Sequence, residues 1–157
     1  MLVSVCINTY NQANYIAKAL EGALMQKTTF PFEILLGDDE SNDGTTDICR
    51  KYAKKYPTKI RLFLRSRKDV LYVNGRATGR SNMVKLWNDS KGKYIALCNG
   101  DDYWIDPYKL QKQIDFLETN PEYGLVHTGY NILKNNTISK ISALNPMPTG
   151  DIYNELL

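Results

Sequence analysis

The feature that most constrains this chain is an alternation. Short apolar or β-branched runs recur, separated by amphipathic helical patterns. Leu2 to Ile7 is the first run and reads as a buried strand. A helix follows with Ile16, Ala19, Leu20, Ala23 and Leu24 on one face and Asn14 as its expected cap. Phe32 to Leu36 is a second strand, and the loop ESNDG leads to a helix starting at Asp43 or Thr45 and stopped by Pro57. Ile60 to Leu64 is a third strand, while residues 65–78 are assigned to no element. Arg80 to Ser90 is helical, with Met83, Leu86 and Trp87 on one side and Gly92 ending it. Tyr94 to Cys98 is a fourth strand. Pro107 opens a helix through Leu117 or Glu118, and Gly124 to His127, extending toward Tyr130, is expected as a fifth strand. Past Lys134 the tail is polar; residues 145–148 read as loop, and Ile152 to Leu157 as the start of a helix. Such an order implies an α/β domain whose mostly parallel sheet is covered by helices on both faces. The 157 residues suffice for one domain with a real core, and no linker or internal repeat divides them.

Composition narrows the function classes. The net charge of +3, from 20 basic and 17 acidic residues, is too mild to indicate nucleic acid, which is not an expected partner. Basic residues do cluster in KYAKKYPTKIRLFLRSRK (51–68), followed by Arg76 and Arg80. That pattern reads as a solvated helix face and loop, or as a patch facing an anion or a membrane surface. Three cysteines without paired spacing argue against a disulfide framework or a zinc site, and imply buried free thiols in a reducing compartment. The first residues form a strand rather than a signal peptide, and no run reaches the ~20 apolar residues that span a bilayer. A single histidine, His127, rules out a multi-histidine metal site. Phosphate-loop, dinucleotide-fingerprint and nucleophile-elbow motifs do not occur. Asn74 to Gly79 carries two glycines, suited either to close approach of a phosphate or simply to a loop.

The polar breaks fall after the strands. Strand one delivers Asn8-Thr9-Tyr10-Asn11, strand two delivers Asp38-Asp39, and strand four delivers Asn99-Gly100-Asp101-Asp102. In open α/β sheets, ligands bind outside the carboxyl ends of the strands. Taken singly, Asp38-Asp39 also reads as a turn with a helix cap, Asp101-Asp102 as a solvated turn, and Tyr103-Trp104 as core or lid aromatics. Together, two acidic pairs on one rim call for a cation or for donor groups. A divalent metal with oxygen ligands, bridging to a diphosphate, meets that need economically. Tyr10 could then stack on a base, and Asp39 could accept the N–H of a uracil ring.

These segments resemble a known family. VSVCINTYNQANYI is similar to the opening strand of family 2 glycosyltransferases, EILLGDDESNDGT to their second-strand acidic motif, and GRSNMVKLWNDSKGKYIALCNGDDYWIDPYKLQKQIDFLE to the segment holding their DxD metal motif. The resemblance covers about residues 2–130 in order and spacing. It implies the GT-A fold, a Rossmann-like three-layer α/β/α arrangement, with residues 1–157 forming a single nucleotide-diphospho-sugar-binding domain. Thr9, Tyr10 and Asn11 would then lie at the nucleobase, Asp39 would bond the base, and Arg80 and Asn82 would sit near the donor. Asp101 would face the donor sugar or ribose and share a Mn2+ or Mg2+ ion with Asp102. Three departures stand out: Asn8 replaces a usual proline, Gly37 a common valine, and Asn99 the first acid of the metal motif.

The resemblance further implies metal-dependent inverting transfer of a sugar, from a UDP-sugar by expectation, to an acceptor hydroxyl. The acceptor would be a saccharide or a lipid-linked saccharide in cell-surface polysaccharide synthesis. The expected setting is cytoplasmic, with the basic patch available for peripheral contact with the inner face of the membrane. Inverting members use a carboxylate base well beyond the metal motif. Only 55 residues follow Asp102, and Asp151 and Glu155 are candidates in name only. The chain therefore reads as a donor-binding half, truncated before the acceptor-binding part; the alternative is a non-catalytic nucleotide-sugar binding module. Oligomeric state, donor sugar and linkage are left open by the sequence.

Overall fold

The computed structural model describes residues 1–134 and 137–140. The chain divides into two units, Met1–Asp115 and Phe116–Leu157. The first unit is built on a four-stranded parallel sheet of β1 (Val3–Thr9), β2 (Phe32–Asp38), β3 (Ile60–Leu64) and β6 (Tyr94–Asn99), in the order β3-β2-β1-β6. Helices α1 (Ile16–Leu24) and α2 (Thr45–Lys55) serve the steps from β1 to β3, and α3 (Arg80–Asp89) precedes the return to β6 on the other side of β1. Right-handed crossovers then place α1 and α2 on one face and α3 on the other. The α/β class and the mostly parallel sheet expected from the alternation are those observed.

The two central strands are buried because their residues can afford no wet face, whereas Ile95 and Leu97 of β6 are exposed. Every residue of β2 is buried, and β1 is buried except at Asn8. On the α3 side, Cys6, Leu35 and Leu86 form a closed cluster with Phe63 and Met83 packed against it. All three cysteines are buried free thiols. One polar group lies under the same face. Glu33, 5% exposed, accepts from Ser4 Oγ at 2.8 Å, Arg61 at 3.0 Å and the Lys91 amide at 3.0 Å. Ser4 Oγ in turn accepts from the Gly92 amide at 2.9 Å, so the buried carboxylate fixes the turn that launches β6.

Several boundaries differ from expectation. Asn14 does not cap α1: Tyr15 occupies the cap without a side-chain bond, and the Tyr15 and Ile16 amides both donate to Gln12 O at 2.9 Å. The turn at Gln12 therefore replaces the cap. Asp43 instead closes the entry to α2, accepting from the Thr45 amide at 3.0 Å and the Thr45 hydroxyl at 2.6 Å. Residues 65–78, which no pattern placed, contain a 3-10 turn at Arg67–Asp69 and a hairpin of β4 (Leu71–Val73) and β5 (Arg76–Thr78). The expected fourth helix begins at Lys109, as α4 (Lys109–Thr119). Its first turn is tied to α1 by Gln26, which accepts from the Leu110 amide at 3.0 Å and donates to Asp106 O at 2.8 Å.

The fifth strand is a correction. Residues 124–130 adopt no regular structure, and a strand begins only at β7 (Asn131–Lys134), paired antiparallel with β8 (Thr137–Lys140) in the second unit. A parallel strand needs cover on both faces, and Leu125 is 67% exposed. Also in this unit, the Phe116 and Tyr123 rings meet at 5.2 Å. The expected tail loop at 145–148, the helix from Ile152, and the nominal acids Asp151 and Glu155 lie outside the described residues.

Burial by itself would push the Glu33 carboxyl up, but bonds from Ser4, Arg61 and Lys91 hold it below the ordinary carboxylate range. A depressed pKa stabilises the folded state above the unfolded value, about 4.3, and that stability is lost as pH falls through the lower folded value. Glu33→Gln should cost about 1–3 kcal/mol, or roughly 3–10 °C in thermal midpoint at neutral pH. The gap between wild type and variant should narrow in acid; a gap that persists there would contradict the charge as its source.

Candidate functional site

Register brings the polar breaks to one line. Thr9 lies opposite Asp38, and Asn8 lies opposite Asn99. The ladder continues past the strand ends: the Asp39 amide donates to Thr9 O at 3.0 Å, and the Gly100 amide to Asn8 O at 2.9 Å. A cleft of about 350 Å3 opens at this rim, at the point where the chain passes from β1 to β2 on one side and later returns to β6 on the other.

The two acids ending β2 divide their labour. Asp38 is 1% exposed and accepts from Ser41 Oγ at 2.5 Å and from the Thr46 hydroxyl. It therefore anchors the 39–46 loop. Asp39 lines the cleft and is 5% exposed. Burial pushes its carboxyl above the ordinary range, the Arg67 guanidinium pulls it back, and Asp38 beside it pushes it up again. Arg67 lies 3.4 Å from Asp39 Oδ2 and 3.7 Å from the centre of the Tyr10 ring. Its amide is fixed by Glu40 at 2.8 Å. Sequence reasoning missed Arg67 as a site residue; the only trace was the basic run 51–68, which names no single cation.

Asn82 is the brace of the site. It is 2% exposed, and its amide nitrogen donates to Gly37 O at 2.9 Å. A β-carbon at position 37 would collide with the Asn82 side chain, which explains why glycine stands there. The side-chain oxygens of Asn8 and Asn82, both on cleft-lining residues, are buried without a partner among the described residues.

β6 supplies the third wall. Asn99 and Asp101 line the cleft, and Asn99 Nδ2 lies 3.4 Å from Asp102 Oδ2. The turn is held from beneath, with the Asp102 amide donating to Asn99 O at 3.0 Å and the Cys98 thiol directed at Asp102 O at 3.7 Å. Burial, then the Asp102 carboxylate, pushes Cys98 up to about 12, so it remains a thiol at neutral pH. Among the described residues no three His, Cys, Asp or Glu side chains gather into a metal cage. Two exposed carboxylates beside a cleft do suit a hard cation whose remaining ligands come from water and a ligand's phosphates. Tyr103 and Trp104 do not line the cleft. Lys18 sits 5.7 Å from the Tyr103 ring, and Lys109 sits 4.5 Å from the Trp104 ring. The Trp104 backbone crosses α1 at Gly22, where a β-carbon would come within 2.8 Å of Trp104 N.

Of the residues expected at the site, Thr9, Tyr10, Asp39, Asn82 and Asp101 come together around the cleft. Asn11, at φ 50°, is turned into the neighbouring loop, accepting from the Asn42 amide at 3.0 Å. Arg80 opens α3 as an exposed residue outside the cleft lining. Gln12, which no motif flagged, lines the cleft and accepts from Thr9 Oγ1 at 2.8 Å.

The chain is similar to known proteins in sequence and in fold. The model of the Glycosyl transferase family 2 matches residues 4–154. An uncharacterized protein of Mycobacterium tuberculosis is 39% identical over 120 residues, which is 76% of this chain and 32% of that protein. The Escherichia coli UDP-Glc:alpha-D-GlcNAc-diphosphoundecaprenol beta-1,3-glucosyltransferase WfaP is 33% identical over 145 residues, covering 92% of this chain and 52% of its own. Among solved structures, S. aureus TarS 1-349 in complex with UDP superposes with a TM-score of 0.58 at 27% identity, over 77% of this chain and 33% of that one. The chain thus spans about a third to a half of the relatives it matches. By its fold, its strand-end motifs and this match, the chain belongs to glycosyltransferase family 2, and its α/β unit is of the GT-A type.

Proposed function

We propose that the cleft binds a nucleoside-diphosphate sugar, with UDP as the nucleotide, and that the chain is the donor-binding part of a metal-assisted inverting transferase. The observation that carries this reading is the pairing of Tyr10 and Asp39 on one side of the cleft with Asp101 on the other. An aromatic face and a buried carboxylate suit a pyrimidine carrying an imide N–H. The carboxylates of the β6 turn suit a cation shared with a diphosphate. The relatives support the donor class, since TarS is known in complex with UDP and WfaP is named for UDP-Glc and a diphosphoundecaprenol acceptor. By extension, the acceptor is a lipid-linked saccharide of a surface polysaccharide, handled at the cytoplasmic side of a membrane.

In this reading Asp39 accepts a hydrogen bond from the imide N–H, and the Arg67 guanidinium favours the ionised form of that carboxyl. Because Arg67 covers one face of Tyr10, the base either displaces the guanidinium or stacks on the opposite face. Thr9 and Gln12 hold the turn beneath the nucleotide. Asn82 keeps the end of β2 at the height that presents Asp39. Asp101 and Asp102 would hold Mn2+ or Mg2+, which when bound offsets the charge developing on the leaving diphosphate. The base that removes the acceptor proton is assigned to no described residue.

The direct test is thermal unfolding with UDP, GDP and ADP, each with and without manganese. UDP with manganese at ~100 times its dissociation constant should raise the midpoint by roughly 5–10 °C. No shift with any nucleotide would end the donor-site reading, whereas donor binding without transfer or donor hydrolysis would favour a binding module. Asp102→Ala should remove the manganese-dependent part of the shift and leave the metal-free part; an unchanged shift would remove Asp102 from the metal site. UDP affinity should fall as pH drops through the raised pKa of Asp39. Arg67→Ala should move that midpoint to higher pH, because the group that lowers the pKa is gone. Asp39→Asn should weaken UDP about 10–100-fold, the range for losing a hydrogen bond to a charged group.

A further inference from the structure

The hairpin of β4 and β5 has no place in the donor site beyond the few residues that line its edge. Among the described residues its strands pair only with each other. Leu71 is 53% exposed, Tyr72 69% and Val73 36%. The register places Leu71 and Val73 on one face, across from Thr78 and Arg76, and Tyr72 with Ala77 on the other. The turn is Asn74-Gly75, both at positive φ (50° and 73°), which suits a tight two-residue loop with a compact tip. A two-stranded ribbon is marginal in water, so three adjacent exposed apolar side chains on its first strand point to a partner.

The charges around it define that partner. Residues 67–80 carry Arg67, Lys68, Arg76 and Arg80 against one carboxylate, Asp69. Arg67 is engaged at Tyr10 and Asp39, while Lys68, Arg76 and Arg80 are exposed. Three apolar side chains on a narrow ribbon offer too little area for a stable protein interface. They suit insertion into the interfacial layer of a bilayer, where a tyrosine sits at headgroup level and cations meet lipid phosphates. We propose that the β4–β5 hairpin docks the protein on an anionic lipid surface, with Leu71, Tyr72 and Val73 entering the interface and Lys68, Arg76 and Arg80 holding phosphates. Because Ala77 and Thr78 also line the cleft, docking sets the mouth of the cleft beside the membrane.

The test is co-sedimentation of the full chain with vesicles of phosphatidylcholine containing about 30 mol% phosphatidylglycerol, against pure phosphatidylcholine, at low and high salt. Binding is expected only to the anionic vesicles and should weaken strongly with salt. Leu71→Ser with Tyr72→Ser should abolish it without changing the thermal midpoint or the UDP shift. Lys68→Gln with Arg76→Gln should weaken it about 25-fold, roughly fivefold per cation. Absence of binding, or equal binding by either double variant, would overturn the proposal. Lipid-free self-association that Leu71→Ser with Tyr72→Ser removes would also overturn it, assigning the ribbon to a second copy. A missing UDP shift with vesicle binding intact would count against the donor site alone.

Discussion

The site depends on the parallel register of β1 with both of its neighbours. Because Thr9 stands opposite Asp38 and Asn8 opposite Asn99, three loops from distant parts of the chain leave the sheet at one height. A slip of one residue would turn every side chain of a strand to the other face. It would bury Asp39 where Asp38 now sits and expose the core of the slipped strand. The register is held by burial, since β2 has no exposed residue, and by the Glu33–Ser4–Arg61 network under the α3 face. Chemistry at the rim and packing in the core are therefore one problem with one solution.

Adjacent carboxylates are tolerated at this rim for two separate reasons. At the end of β2 the acids have different neighbours, with hydroxyls from Ser41 and Thr46 on Asp38 and a guanidinium on Asp39. At the end of β6 the acids remain exposed, where water screens them and an incoming cation can reach them. The first pair is compensated by the protein; the second is screened mainly by water, with Asn99 Nδ2 3.4 Å from Asp102 Oδ2. The pairs look alike in the sequence and differ only in what the fold puts beside them.

Much of this was legible from residue order. Apolar runs marked the four parallel strands because each is short, rich in apolar residues and bounded by polar turns, and the strand-end residues Thr9, Tyr10, Asp39 and Asp101 meet as their positions implied. What stayed hidden depends on side chains reaching across the chain. Arg67 looked like one cation among many until the 3-10 turn placed it over Tyr10. Asn11 and Arg80 carried motif positions, yet the local backbone turns one into a loop and leaves the other on the surface. The run at Gly124 was apolar enough for a strand, but nothing among the described residues covers it, and Leu125 is exposed. The β4–β5 hairpin escaped notice because three-residue strands leave almost no periodicity to read.

The crossing of Gly22 by the backbone of Trp104 has a consequence for how this protein can vary. The contact is made by main-chain atoms at 104 and by the missing side chain at 22. The segment that carries the β6 acids is thus seated on α1 whatever residue stands at 104. Substitution there acts instead on the indole's own neighbours, Lys109 among them. Position 22 has no such latitude, since any side chain would lift the acid turn away from the helix. Variation is expected to accumulate at the conspicuous tryptophan and to be purged at the inconspicuous glycine.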